Sequence, residues 1–228
     1  MGISSSPRRN GSTAYLVDEA LAEAKRYNAI VEHIHLPSYN MKFCKGCMNC
    51  LRNGKCAISD GFEKIKSKIM ECDGIIIGSP TYGLAPNAIM KNFLDRFGIY
   101  SVYRSALGGK YIVGISTAGA IGSKKVAKKL TGLVSGAFAY GYVSGTFGFN
   151  VKHGKAQDHP EAASKARKLG KRIVEDISLG RKYRLQRLGN KLLHKIIIKP
   201  IMLKNIMEHK DLEMKSVYLY LRDAGYIS

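Results

Sequence analysis

Two short, uninterrupted apolar runs, Gly74-Ile75-Ile76-Ile77-Gly78 and Tyr111-Ile112-Val113-Gly114-Ile115, constrain this chain more than any other feature. A strand that alternates apolar and polar residues has one wet face. A strand without alternation must be covered on both faces, and that is the signature of a parallel sheet held between helices. Ala29-Ile30-Val31-Glu32-His33-Ile34 reads as a third such strand. Amphipathic segments separate the runs. Ser12 and Thr13 are placed to cap a helix carrying Leu16, Ala20, Leu21 and Ala24. Asp60 is placed to cap one with Phe62, Ile65 and Ile69, and Pro86 precedes one with Ile89, Phe93 and Leu94. Strand, loop and helix in this order predict βαβ units and a doubly wound, parallel five-stranded α/β sheet over residues 1–180. With 228 residues, 45% of them hydrophobic, the chain can build one such core and an appendage.

The loops after these strands are rich in small and polar residues. Gly2-Ile3-Ser4-Ser5-Ser6-Pro7-Arg8-Arg9-Asn10-Gly11-Ser12-Thr13 sets hydroxyls and two arginines between a strand end and a helix start. Free amides, hydroxyls and a cation there make an anion seat. The spacing is neither Gly-x-Gly-x-x-Gly nor a P-loop, so a monophosphate suits it better than a dinucleotide or ATP. Taken alone, the segment also reads as a polar turn with a helix cap. Two further loops, Gly78-Ser79-Pro80-Thr81-Tyr82-Gly83-Leu84-Ala85-Pro86 and Ser116-Thr117-Ala118-Gly119-Ala120-Ile121-Gly122, follow the two clear strands. Three such loops at the carboxyl ends of parallel strands converge on one crevice, where open α/β sheets bind ligands. Tyr82 is suited to cover an aromatic ring system there.

Four of the five cysteines crowd into one segment, Cys44-Lys45-Gly46-Cys47-Met48-Asn49-Cys50 followed by Cys56, with the spacing C-x2-C-x2-C-x5-C. Three thiolates within seven residues and a fourth close by match the corners of a [4Fe–4S] cluster. Structural zinc more often uses two C-x2-C pairs a dozen or more residues apart, and thiols without metal are the remaining alternative. Lys42, Lys45, Arg52 and Lys55 offset the thiolate charge. Cys72 reads as a small core residue. The six histidines form no HExxH-type set, so no residue is nominated as catalytic.

With Met90-Lys91-Asn92-Phe93-Leu94-Asp95-Arg96, the first two loops resemble the NADPH-dependent FMN reductase branch of the flavodoxin-like superfamily, over roughly residues 1–150. The cysteine spacing resembles the iron–sulfur flavoproteins within that branch. The resemblance implies FMN as cofactor. It assigns the phosphate to Ser4, Ser6, Arg8, Asn10, Ser12 and Thr13, and the flavin to Pro80, Thr81, Tyr82, Gly83, Ser116 and Gly119. It further implies a homodimer or tetramer, a cluster of one subunit near the flavin of another, and ferredoxin as electron partner. Relatives carry several apolar residues before the Gly-Ile-Ser element and often Gly at the position of Ser5; here only Met1 precedes it, so the natural start is expected upstream, with an unusually short first strand as the alternative.

The chain carries 37 Lys+Arg against 17 Asp+Glu, a formal charge of +20. Such a field attracts acidic partners, whether nucleic acid, an anionic membrane surface or an acidic electron-transfer protein, and speeds their encounter; a solvated basic surface is the equal alternative. No apolar stretch reaches membrane-spanning length and no signal peptide is legible, so the expected address is the cytoplasm, where thiols stay reduced. The cysteine loop, residues 40–60, is an insertion in the sheet domain, and residues 181–228 form a basic helical C-terminal extension. Residues 181–204 hold eight Lys/Arg and no Asp/Glu, with Leu185, Leu188, Leu192, Ile196 and Leu203 near helical spacing and Pro200 expected to break or kink the helix. The stripe is expected to pack against the domain or a second subunit, with a membrane surface and nucleic acid as less favoured occupants. An iron–sulfur flavoprotein transferring electrons between a ferredoxin-type donor, cluster and FMN is the leading reading. The alternatives are an NAD(P)H-dependent FMN or quinone reductase without a cluster, and a flavodoxin-like binding module engaging a polyanion or a large partner complex through its basic tail.

Overall fold

The computed structural model describes residues 1–183, 196 and 198–227. Five parallel strands form the sheet: β1 (Gly2–Ser4), β2 (His33–His35), β3 (Gly74–Tyr82), β5 (Tyr111–Ala118) and β6 (Tyr142–Asn150), in the order β2-β1-β3-β5-β6. A two-residue strand, β4 (Ala85–Pro86), folds back antiparallel on the end of β3. This is the flavodoxin-like order, with its switch point between β1 and β3. The uninterrupted runs in β3 and β5 are buried on both faces, as their lack of alternation requires.

Helices cover both faces. α3 (Phe62–Glu71) and α4 (Ala88–Arg104) pack Phe62, Ile65, Phe93 and Phe97 against Ile3, Ile75 and Ile77. On the other face, α1 (Ser12–Arg26) and α6 (Pro160–Ser178) pack Leu16, Val17, Ala166 and Ile173 against Ile76, Val113 and Ile115. α1 and α6 touch so closely that a Cβ at Gly170 would sit 1.9 Å from the carbonyl oxygen of Ala20. α5 (Ser123–Leu130) follows β5, and α2 (Asn49–Asn53) is a short turn of helix inside the cysteine segment.

Two local expectations change. The strand read at Ala29–Ile34 is realised as His33–His35, because Ile30 is fully exposed while Ile34 and Leu36 enter the core. The cap of α1 is Gly11, since the Ser12 hydroxyl accepts from the Ala156 amide (3.0 Å) and Thr13 Oγ1 meets Thr117 Oγ1 (2.6 Å). Pro200 stands near the start of α7 (Lys199–Glu208), where its missing N–H costs nothing. α7 and α8 (Lys215–Asp223) bury Ile206, Met214, Val217 and Leu221 against Leu51 of α2, with Cys50, Ile99 and Tyr103 at the margin. The extension thus packs on the cysteine segment. Leu185, Leu188 and Leu192 lie outside the described residues. Among the described residues no helix is long and apolar enough to cross a membrane.

Candidate cofactor sites at the strand ends and in the cysteine loop

Ser4, Gly78 and Ile115 stand in register across β1, β3 and β5, so the three loops leave neighbouring strands at the same sheet edge. The first loop is held by bonds of its own and by bonds to neighbouring segments. Ser6 Oγ donates to the Arg8 carbonyl (2.8 Å), and the Gly11 amide donates to the same oxygen (3.0 Å). The first-turn amides of α1 have no helical acceptor, and Gly11 supplies no side-chain cap. Those amides are what a phosphate needs. Arg8 and Asn10 are exposed above them, and Gln157 donates to the Asn10 carbonyl (3.0 Å).

The nominated residues divide by what their side chains already hold. Ser4 is buried, and its hydroxyl lies 2.9 Å from His33 Nε2, whose Nδ1 meets Asp18 (2.6 Å). Ser116 donates to the Ser79 carbonyl (2.7 Å) and lies 2.9 Å from Thr81 Oγ1, which joins the second and third loops. Tyr82, Gly83 and Gly119 are exposed at the rim, and Pro80 is half-buried at the end of β3.

Sequence reasoning did not nominate Asn87. Its carboxamide accepts from Ser5 Oγ (2.7 Å) and the Met90 amide (3.1 Å) and donates to the Ser5 carbonyl (2.7 Å). It therefore caps α4 and ties the first loop to the second. His35, also unassigned, lies with Nε2 2.8 Å from the Ser6 carbonyl; burial lowers its pKa, against the effect of that bond. Neither had a local signal beyond Asn preceding a helix.

The cysteine loop is irregular. Cys44 and Cys47 are exposed, Cys50 and Cys56 half-buried, and all five cysteines are free thiols. All four loop cysteines line one cavity of about 30 Å³ together with Asp95, Arg96, Ile99 and Tyr100. Among the described residues no three His, Cys, Asp or Glu side chains converge as a ready metal-ligand set. Three left-handed residues shape the loop, Gly46 at φ 64°, Met48 at φ 56° and Gly54 at φ 77°. Burial pushes the Cys50 thiol up, while the amides of Cys50 and Leu51 at its sulfur pull the other way.

Beneath the loop lies an ion pair. Arg96 meets Asp60 with Nη1–Oδ2 at 2.6 Å and Nη2–Oδ1 at 2.9 Å, and both side chains are nearly inaccessible. Burial alone would raise the Asp60 pKa, but Arg96 and the amides of Phe62 and Lys42 outweigh it and hold the carboxyl below its ordinary value. The expected capping role of Asp60 is kept in part: it accepts from the Phe62 amide (3.0 Å), although Gly61 is the helix cap. The Nε–H of Arg96 is buried with no acceptor among the described residues. A cavity lined by four thiols, with amides at one sulfur and an orphaned cationic donor in its wall, has the chemistry an iron–sulfur cluster requires. Two larger hollows, about 770 and 1040 Å³, lie at the opposite edge of the sheet, by Gly74 and by Tyr142.

Sheet order and loop set together define a flavodoxin-like domain of the flavin-binding kind, with a thiol-rich loop against α4. Residues 1–154 match the model of the NADPH-dependent FMN reductase family. The chain is 31% identical to an iron–sulfur flavoprotein of Archaeoglobus fulgidus over 100% of this chain and 99% of that one. It is 33% identical to an iron–sulfur flavoprotein of Methanocaldococcus jannaschii over 80% of this chain and 98% of the other. In fold it resembles RosB, solved with a bound riboflavin-5'-phosphate derivative, at a TM-score of 0.64 and 11% identity, covering 85% of this chain and 86% of that one. The chain belongs to the NADPH-dependent FMN reductase family and, within it, to the iron–sulfur flavoproteins. It is an FMN-dependent oxidoreductase whose chemistry is flavin-based electron transfer.

Proposed function

We propose that the protein carries electrons between a ferredoxin-type donor, a [4Fe–4S] cluster on Cys44, Cys47, Cys50 and Cys56, and FMN, and delivers them to a small-molecule or protein acceptor. The observation that carries this reading is the gathering of all four thiols around one cavity on the flank of α4, the helix whose cap is bonded to the flavin loops. Asn87 and Arg96 are nine residues apart on that helix, which puts the two loop anchors about 14 Å apart along its axis. When bound, the cluster supplies single-electron steps and the flavin handles one or two electrons.

The chain's own part is positional. The α1 amides with Ser6, Arg8, Asn10, Ser12 and Thr13 bind the phosphate. Ser4 supports the loop through His33. Pro80, Thr81, Tyr82, Gly83, Ser116 and Gly119 border the flavin ring. Lys124, Lys125, Lys128 and Lys129 are exposed on α5, directly after the third loop, and offer an acidic donor a landing surface. We assign residues 1–180 to the FMN-binding domain and 181–228 to the helical extension, and place the protein in the cytoplasm as a homo-oligomer.

Because the thiols do not already form a ligand set, a second reading stands beside the first: an NAD(P)H-dependent FMN or quinone reductase without a cluster. Iron, acid-labile sulfide and flavin per chain, measured on protein purified without oxygen, separate the two. Four iron and four sulfide with one FMN are expected; FMN without iron selects the reductase.

A further inference from the structure

The cysteine loop has two ends, and one side chain holds both. Arg96 Nη1 donates to the Lys42 carbonyl (3.1 Å), two residues before Cys44. Its Nη2 donates to Cys56 Sγ (3.2 Å), and both nitrogens pair with Asp60, four residues after Cys56. Asp60 Oδ2 in turn accepts from the Lys42 amide (2.8 Å), which closes the ring. Asn92, one turn earlier on α4, donates to the Met41 and Lys42 carbonyls at 3.2 Å each. The guanidinium also lies over the Phe62 ring, 4.3 Å from its centroid, so it is locked from a second side. These contacts join residues 36 and 54 positions apart, and they leave the loop between Lys42 and Asp60 tethered at its base while Cys44 and Cys47 remain exposed at its tip.

We propose that Arg96, clasped to Asp60, is the positioning residue of the cluster site: it pins the base of the cysteine loop and donates a charged hydrogen bond to the Cys56 sulfur. Its consequence for a cluster rests on the function proposed above; its geometry does not. A rigid planar fork is required, because one group must serve a carbonyl, a sulfur and a two-oxygen carboxylate at once. Lysine, with one nitrogen on a flexible stem, keeps the charge but not the fork. A donor at a ligand sulfur and a nearby positive charge both favour the reduced cluster, so losing them makes its potential more negative.

The test compares Arg96→Gln, Arg96→Lys and the double variant Asp60→Asn/Arg96→Gln in the full, FMN-loaded chain. The double variant leaves no buried charge unpaired if the single change fails to fold. Three quantities are read: amide hydrogen exchange over residues 42–60, iron release to a chelator, and the cluster and flavin potentials. The clasp predicts faster exchange in that segment with residues 1–30 unchanged. It predicts iron release some 10- to 100-fold faster, the scale at which partners of metal ligands act. The cluster potential falls in Arg96→Gln, falls less in Arg96→Lys, and the flavin potential holds. Wild-type exchange, iron release and potential in the variants overturn the proposal. Should the wild type itself bind no iron, the cluster reading fails. The exchange data then decide the clasp alone, with lost protection supporting it and unchanged protection overturning it.

Discussion

The flavin loops and the cysteine loop are built on opposite plans. The flavin loops grow out of three paired strands, and short bonds such as Ser5–Asn87 and Thr81–Ser116 link loop to loop, so their shape follows from the sheet. The cysteine loop has one short helix and no strand, and draws its shape from outside: Arg96 and Asn92 below, α7 and α8 beside it. A site on strand ends inherits the rigidity of the core, whereas a site on a loop needs partners from distant sequence. Only the second should be separable from the fold.

Substitutions that break one region and spare the other test this contrast. Val217→Asp would bury an unpaired carboxylate in the cluster between α8 and Leu51. Iron content should collapse while FMN stays bound, read by metal analysis and flavin absorbance. Gly11→Val is the converse: a Cβ there meets Ser6 Oγ at 2.7 Å and the Arg8 carbonyl oxygen at 3.0 Å, so FMN affinity is lost and iron retained. Leu221→Ala removes fully buried volume at about 2–5 kcal/mol, seen as a lower chemical-denaturation midpoint for the extension. Asn87→Ala takes away a helix cap and its bonds to Ser5 for roughly 1–2 kcal/mol and weakens FMN binding, measurable by fluorescence titration.

The smallest effect is in pH. The folded pKa of Asp60 lies below its unfolded value, about 3.9. Its contribution to stability is therefore complete above that value and is lost as pH falls through the lower folded pKa. Asp60→Asn should be less stable at neutral pH and show a shallower fall on acidification below about pH 4, followed by denaturation at a series of pH values.

The sheet was legible because continuous apolar runs admit few arrangements: β3 and β5 fall where Ile75–Ile77 and Ile112–Ile115 put them. The edge strand misled, since Ile30 carries strand character but is fully exposed, Val31 is only half-buried, and Ile34 alone of the three is fully buried. In the loops, residue types pointed to segments that leave neighbouring strands at the same end of the sheet. Which hydroxyls are already engaged, as Ser4 is by His33 and Thr13 by Thr117, depends on contacts 29 and 104 residues apart. Arg96 stood in the motif Met90–Arg96, yet its pairing with Asp60 leaves no periodic or local trace. Of the C-terminal stripe, Leu185, Leu188 and Leu192 lie outside the described residues and Ile196 is exposed; the residues that do pack on Leu51 are Ile206, Met214, Val217 and Leu221, further along the chain.

Anaerobic mixing of the FMN- and iron-loaded protein with reduced ferredoxin tests the central claim most directly, with flavin bleaching compared in wild type and Cys47→Ser. Cys47 is exposed, so the variant should keep its fold and its FMN. The account predicts rapid bleaching in wild type and little in the variant. Equal bleaching rates in the two proteins would contradict it.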